Sequence, residues 1–248
     1  MELSELRSLA AKEELSLNYI AKDEMISRVL FAVQGNDDII LKGGTAINRV
    51  YLKNMRFSED IDLDLVFKEN VKKAIKRANE IAAKIKGFQV EKPRIMKETI
   101  RYDLFYINPL AHKDKIRLEF RIVKKASSYE KRVVNFGFVP SESSLLNVYD
   151  IDKLIKHKIE CIMDRTEGKD FFDMYYLLDL PHTQIKESNK IIQKLNLEQK
   201  EITALANIIN HYIPRKRRPE WNIFIEKLKN KLVKENSKGI QTNDSAAF

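Results

Sequence analysis

Eight consecutive residues, Asp60-Ile61-Asp62-Leu63-Asp64-Leu65-Val66-Phe67, constrain the fold more than any other stretch of this chain. Polar and apolar residues alternate strictly as far as Leu65, which is the period of a strand with one face buried and one face open. On such a strand residues i and i+2 project to the same side, so Asp60 and Asp62 stand a few ångströms apart. Folding gains nothing from that arrangement, because adjacent like charges oppose one another unless a cation lies between them. Mg²⁺ is a hard cation that prefers carboxylate and phosphate oxygens, and such a pair suits a triphosphate-bound metal. A solvated face of an antiparallel sheet would show the same alternation, so the pair gains meaning only from what stands near it.

What stands near it is Lys42-Gly43-Gly44-Thr45. The short apolar run Ile39-Ile40-Leu41 ends at the two glycines, and a helical stretch from Thr45 to Leu52 follows. Without Cβ atoms the backbone can approach a phosphate, and a helix start offers free N–H groups and a favourable dipole. Taken alone, a Gly-Gly pair at a strand-to-helix junction is most often only a turn. A calcium loop of the EF-hand type beginning at Asp60 would need glycine at its sixth position and glutamate at its twelfth. Those positions hold Leu65 and Val71, so that reading fails. No G-x-x-x-x-G-K-[ST] phosphate loop occurs either.

Helical and strand-like periodicities fill in the rest. The first forty residues read as helix, with Met25, Val29, Leu30 and Val33 at helical spacing until Gly35-Asn36. Residues 71–86 carry an apolar stripe of Val71, Ala74, Ile75, Ala78, Ile81, Ala82 and Ile85, with Gly87 placed as a C-terminal cap. Strands are expected near 88–95, 101–107, 115–123 and 131–139. In the third of these, Ile116, Leu118, Phe120 and Ile122 fall on one face and Arg117, Glu119 and Arg121 on the other. From Asp150 onward only helices are expected, over 150–165, 169–180, 185–195, 197–212 and 220–233. The fold class is therefore α+β: a mixed or antiparallel sheet flanked by helices over residues 1–140, a helical domain over 141–236, and a disordered tail over 237–248.

Composition narrows the setting. A net charge of +9 and a pI near 9.3 suit a polyanionic partner, although many lysine-rich proteins never touch nucleic acid. The basic run Arg215-Lys216-Arg217-Arg218 reads equally as a phosphate contact or a solvated turn. No apolar run approaches the ~20 residues that span a bilayer, so no membrane partner is expected. The opening MELSELRSLAAKEELS mixes charges throughout and does not read as a secretion signal. A single cysteine, Cys161, excludes an intrachain disulfide and fits a reducing compartment, so a cytoplasmic location is expected. His157 and Cys161 stand four residues apart on a helix with no further ligand at zinc spacing, and Trp221 with the aromatic residues of 171–176 reads as core.

Two glycines followed, after a short helix, by an aspartate pair flanking one apolar residue form the signature of the DNA polymerase β-like nucleotidyltransferase superfamily. More closely, KGGTAI with RFSEDIDL resembles the AbiEii/AbiGii family of bacterial nucleotidyltransferase toxins, which includes the MenT toxins. A second segment is similar to that family as well: Asp152-Lys153-Leu154-Ile155-Lys156-His157-Lys158-Ile159, then Arg165, then Lys169-Asp170-Phe171-Phe172-Asp173. The resemblance covers about residues 41–178. It implies that residues 1–140 form a nucleotidyltransferase domain with Asp60 and Asp62 as ligands of Mg²⁺, or of Mn²⁺. Lys42, Gly43, Gly44 and Thr45 would lie at the phosphates of a nucleoside triphosphate, with Arg56 and Ser58 nearby. A third carboxylate on a neighbouring strand would activate the attacking hydroxyl. Glu119 is the first candidate, with Asp103 and Asp64 behind it. Lys158 would reach the triphosphate, Asp170 would orient that lysine, and Asp173 lies one turn further on; an ordinary surface ion-pair cluster is the alternative for these three.

The implied reaction is in-line attack of a hydroxyl on the α-phosphate with release of pyrophosphate. Family members act as toxins paired with a cognate antitoxin, and some extend the 3′ acceptor end of tRNA, which makes tRNA a candidate acceptor. Two other readings of the residues stay open: transfer of the γ-phosphate, or a non-catalytic module that sequesters a nucleotide or a partner.

Overall fold

The computed structural model describes residues 1–183 and 185–238 and divides them into two units. The first comprises Met1–Asp150 together with Pro214–Lys216. Its eight strands are β1 (Ile39–Lys42), β2 (Asp60–Val66), β3 (Gln89–Val90), β4 (Arg94–Met96), β5 (Thr99–Ile107), β6 (Lys113–Val123), β7 (Tyr129–Val134) and β8 (Ser144–Tyr149). They form one mixed sheet in the order β3-β5-β6-β2-β1-β8-β7, with β4 also on β5. The alternating segment sits at its centre: β2 runs antiparallel to β1 and parallel to β6.

The apolar half of that alternation makes the core. Ile61, Leu63 and Leu65 of β2 are fully buried, as are Leu118 and Phe120 of β6 and Ile100 and Leu104 of β5. Helix α4 (Val71–Ala82) packs on β5 and β6. Its stripe of Ala74, Ala78 and Ile81 is completely covered, and full burial of a large aliphatic side chain is worth about 1.5–3 kcal/mol. Asn70 caps its first turn by accepting the Lys73 N–H at 3.0 Å. Tyr102 of β5 donates to Asn79 of α4 at 2.7 Å, so its buried hydroxyl is satisfied.

The first forty residues form two helices, α1 (Leu3–Glu13) and α2 (Leu17–Val33). The break comes at Glu14, whose φ of 53° is left-handed, and it turns Leu15 into the core. Asp23 of α2 and Arg49 are both buried and meet at 2.8 Å. Burial pushes the Asp23 carboxyl up, against the pull of Arg49 and of the Val139 N–H.

The first unit ends at Asp150 and not at residue 140. Residues 140–147 carry proline and serines and read locally as a linker, yet Ser144–Tyr149 is β8, parallel to β1 and antiparallel to β7. Leu146, Val148 and Tyr149 are buried there. The expected strand over 131–139 is also shorter, closing at Val134.

The second unit comprises Ile151–Ile213 and the described residues from Arg217 onward. It contains α5 (Ile151–Asp164), α6 (Gly168–Leu177), α7 (Ser188–Lys194), α8 (Gln199–Ile209) and α9 (Trp221–Lys238). Phe171, Phe172, Ile191, Leu195, Leu228 and Leu232 fill its interior, and Phe172 stacks on Phe224 with centroids 5.9 Å apart. Residues Ser237 and Lys238, expected in a disordered tail, close α9; the remainder of that tail, 239–248, lies outside the described residues. Among the described residues no helix is long and apolar enough to cross a membrane.

Candidate active site

Where β1 ends, the chain turns at Gly43 with φ of 70° into a single helical turn, α3 (Gly43–Ala46), and then a wide π-type turn over Ile47–Tyr51. Lys42 lies opposite Asp62 in the β1–β2 register, which brings the glycine pair against the aspartate pair. A Cβ built on Gly43 would stand 2.3 Å from Asp62 Oδ2, and one on Gly44 would stand 2.7 Å from Arg56 Nη2 and 2.8 Å from Ser58 Oγ. The backbone approaches the Asp62 carboxylate more closely than any other residue type would permit.

The loop between the turn and β2 is tied down by side chains. Thr45 is fully buried and donates its hydroxyl to the Asp60 carbonyl at 2.5 Å, with Ser58 Oγ 3.1 Å away. Arg56, also buried, donates to the Phe57 carbonyl at 2.9 Å. Asn48 donates to the Gly44 carbonyl at 3.0 Å and accepts the Arg56 N–H at 3.1 Å, which fixes both sides of the turn. Thr45, expected at the phosphates, thus pins the start of β2 from inside. Asn48 went unnoticed in the sequence, since a lone asparagine on a short helix carries no periodic signal.

The three candidates for a further carboxylate occupy different places in the sheet. Asp62 and Glu119 are direct partners in the parallel β2–β6 pairing, and Glu119 accepts from Arg101 Nε at 2.8 Å. Asp64 is buried, ion-paired to the Lys42 ammonium, and accepts the Tyr149 hydroxyl at 2.6 Å. Burial first, and then the Asp64 carboxylate, push that hydroxyl far above its ordinary range. Asp103 lies one strand further out, on β5, held by Arg94 at 2.9 Å and Lys115 at 3.1 Å. Lys42, expected at the phosphates, is the cation of the Asp64 pair. Asp60 has Arg117 Nη1 3.3 Å from its carboxylate.

Among the described residues no group of three or more His, Cys, Asp or Glu side chains is placed to hold a metal ion. A pair of carboxylates is nevertheless a suitable donor set for Mg²⁺, which commonly binds through one or two carboxylates and completes its shell with water and substrate phosphates. The close approach of Gly43 to Asp62 keeps that side of the pair free of side-chain bulk.

The second unit carries its own polar cluster. Lys158 of α5 is buried, 2.7 Å from Asp170 Oδ1 and 2.8 Å from Asp173 Oδ2 of α6, both fully covered. Arg165 adds a contact to Asp170 Oδ2 at 3.0 Å. Burial by itself would raise the Asp170 carboxyl, but Lys158 and Arg165 hold it below its ordinary value. Lys158, Asp170 and Asp173 form an interior network, which the exposed Arg165 joins from the surface.

The family model described as "Nucleotidyl transferase AbiEii toxin, Type IV TA system" matches residues 26–241. Among curated proteins none matches by sequence. Among solved structures, JHP933 from Helicobacter pylori is 17% identical with a TM-score of 0.62, covering 94% of this chain and 97% of that one. MenT4, a nucleotidyltransferase toxin from Mycobacterium tuberculosis, is 13% identical with a TM-score of 0.65, covering 95% of this chain and 90% of that one. At those identities the likeness is one of fold.

Proposed function

The chain belongs to the AbiEii family of nucleotidyltransferase toxins, and we propose that it moves a nucleoside monophosphate from a nucleoside triphosphate to an acceptor hydroxyl, with a tRNA 3′ end as the acceptor and a cognate antitoxin as its partner. The observation that carries this reading is the closure of Gly43 on Asp62, beside Asp60 on one strand and Glu119 on the next. Asp60 and Asp62 would hold Mg²⁺ or Mn²⁺, which when bound offsets the charge of the triphosphate oxygens. The Gly43-Gly44 backbone would receive the β- and γ-phosphates, a contact that any side chain there would obstruct. Glu119 would take the proton of the attacking hydroxyl as its oxygen bonds to the α-phosphorus and the α–β bridging bond breaks, releasing pyrophosphate. Arg101 orients Glu119 for that task. The family resemblance assigns Lys158 a triphosphate contact and Asp170 its orientation, with Asp173 one turn further on; here Lys158 is paired to both carboxylates.

The test is incubation of the protein with Mg²⁺, total bacterial RNA and each α-³²P-labelled nucleoside triphosphate in turn. Label should enter the tRNA band. Asp60→Ala and Asp62→Ala should each lose more than the ~100-fold typical of groups that only orient a metal ligand, with melting temperatures close to that of the unaltered protein. Label transferred from γ-³²P but never from α-³²P would sink nucleotidyl transfer in favour of phosphotransfer.

A further inference from the structure

The proposed chemistry leaves one charged end of the Asp60–Asp62 face of the sheet unused. Strand β6 pairs with β2 from Arg117 onward, so its first residues, 113–116, run past the start of β2 together with their partners on β5. In that hairpin Phe105 pairs with Lys115 and Ile107 with Lys113, which puts these four side chains on the face that carries Asp60 and Asp62. Lys113 Nζ lies 4.3 Å and Lys115 Nζ 5.7 Å from the centre of the Phe105 ring. Ile107 is 69% exposed. Arg94 and Lys115 share Asp103, while Lys113 has no carboxylate partner among the described residues.

On this face Arg94 and Lys115 share the single carboxylate of Asp103. Arg117 lies 3.3 Å from Asp60 and 3.9 Å from Glu119, which Arg101 also meets, so the five cations Arg94, Arg101, Lys113, Lys115 and Arg117 meet three carboxylates. Lys113, Lys115 and Arg117 are alternate residues of one strand, so their Cα atoms follow one another at roughly 6.8 Å. A row of cations at that spacing beside an aromatic ring matches an extended chain of phosphates whose bases are free to stack. The row ends at Arg117, whose guanidinium already touches Asp60. An acidic protein would use the charge but not the ring, and a paired helix keeps its base faces covered.

We propose that this face of the β5–β6 hairpin docks the single-stranded end of a polynucleotide acceptor. Its phosphates lie along Lys113, Lys115 and Arg94, one base stacks on Phe105, and Arg117 leads the terminal hydroxyl towards Asp60. This assignment rests on the nucleotidyl-transfer reading above. A base stacking on Phe105 moves the Lys113 ammonium from the ring to the adjoining phosphate.

The experiment is fluorescence anisotropy of a labelled single-stranded RNA 12-mer with the full chain, without nucleotide or metal, so that docking is read apart from transfer. The unaltered protein should bind it more tightly than the same RNA annealed to its complement. Lys113→Glu should weaken binding about tenfold and reduce the slope of log K against log salt by about 0.7 or more. Phe105→Leu keeps the apolar bulk but removes the ring, and should weaken binding about tenfold with the slope unchanged. Both variants should keep the melting temperature and nucleotide binding of the unaltered protein. Unchanged RNA affinity in both variants, or equal affinity for single-stranded and duplex RNA, overturns the proposal. If docking responds as expected while no α-phosphate label reaches any acceptor, the surface stands and the transfer reading falls.

Discussion

Gly43 and Gly44 look alike in sequence, but the structure separates them. Gly43 has φ of 70°, and an added Cβ would press on Asp62 itself, whereas Gly44 has ordinary backbone and faces the movable ends of Arg56 and Ser58. Gly43→Ala should cost about 1–2 kcal/mol from the left-handed backbone alone and displace the Asp62 carboxylate, so transfer should fall further than stability does. Gly44→Ala should cost less, because a guanidinium tip and a hydroxyl can shift. Urea denaturation beside the labelling assay would show the order; equal losses in the two variants would contradict it. At the same scale, the Asp60–Asp62 pair was legible because period 2 puts i and i+2 together whatever the rest of the chain does. The commitment of Lys42 to Asp64, and of Thr45 to the Asp60 carbonyl, was not, because each depends on a neighbour brought in by strand pairing.

Among the elements, β2 follows its periodicity closely, since its apolar set fits one face. Helix α4 does so only from Ala74 to Ala82: Val71 is exposed, and the helix closes at Ala82, short of the expected Gly87 cap. Strand β8 does not announce itself: its burial comes from β1 on one side and β7 on the other, and nothing within residues 140–149 reports those neighbours. Helices α5 and α6 are joined by the Lys158–Asp170–Asp173 network, and a pH effect belongs to this pair. The Asp170 carboxyl is held below its ordinary value of 3.8 in the folded chain. Its contribution to stability is therefore present above about that pH and is lost as pH falls through the depressed value. Asp170→Asn should remove this part of the acid dependence. At neutral pH it should cost roughly 1–3 kcal/mol, less than the ~3–5 kcal/mol of breaking a buried pair outright, because Asp173 still neutralises Lys158. Denaturant midpoints from pH 2 to 7 would test both statements, and parallel curves for the two proteins would refute the first.

At the scale of the whole molecule, the chain leaves the first unit after Asp150 and returns to it for Pro214–Lys216. There Arg215 N–H donates to the Glu14 carbonyl at 3.0 Å and Lys216 donates to the Lys12 carbonyl at 3.1 Å. Among the described residues all eight strands lie before residue 150, with their own buried core. A chain ending at Asp150 should therefore keep a mixed α and β circular dichroism signal and melt cooperatively, at a lower temperature than the full chain for want of that returning segment. A broad, non-cooperative melt would mean that the first unit does not hold together by itself.

Local periodicity and residue chemistry belong to neighbours in the chain, so the sequence by itself determined the central strand, the same-face aspartates, the α4 stripe, the change to helices near residue 150 and the resemblance to a toxin family. Tertiary structure alone decided which carboxylate stands beside Asp62, because Glu119 reaches it across 57 positions of sequence (119 − 62) through β2–β6 pairing. It likewise decided that Asp64 is locked away by Lys42 and Tyr149, and that Lys158 is an interior residue. Those outcomes depend on strand order, register and helix packing, which the whole set of long-range contacts settles together and no short stretch of residues encodes.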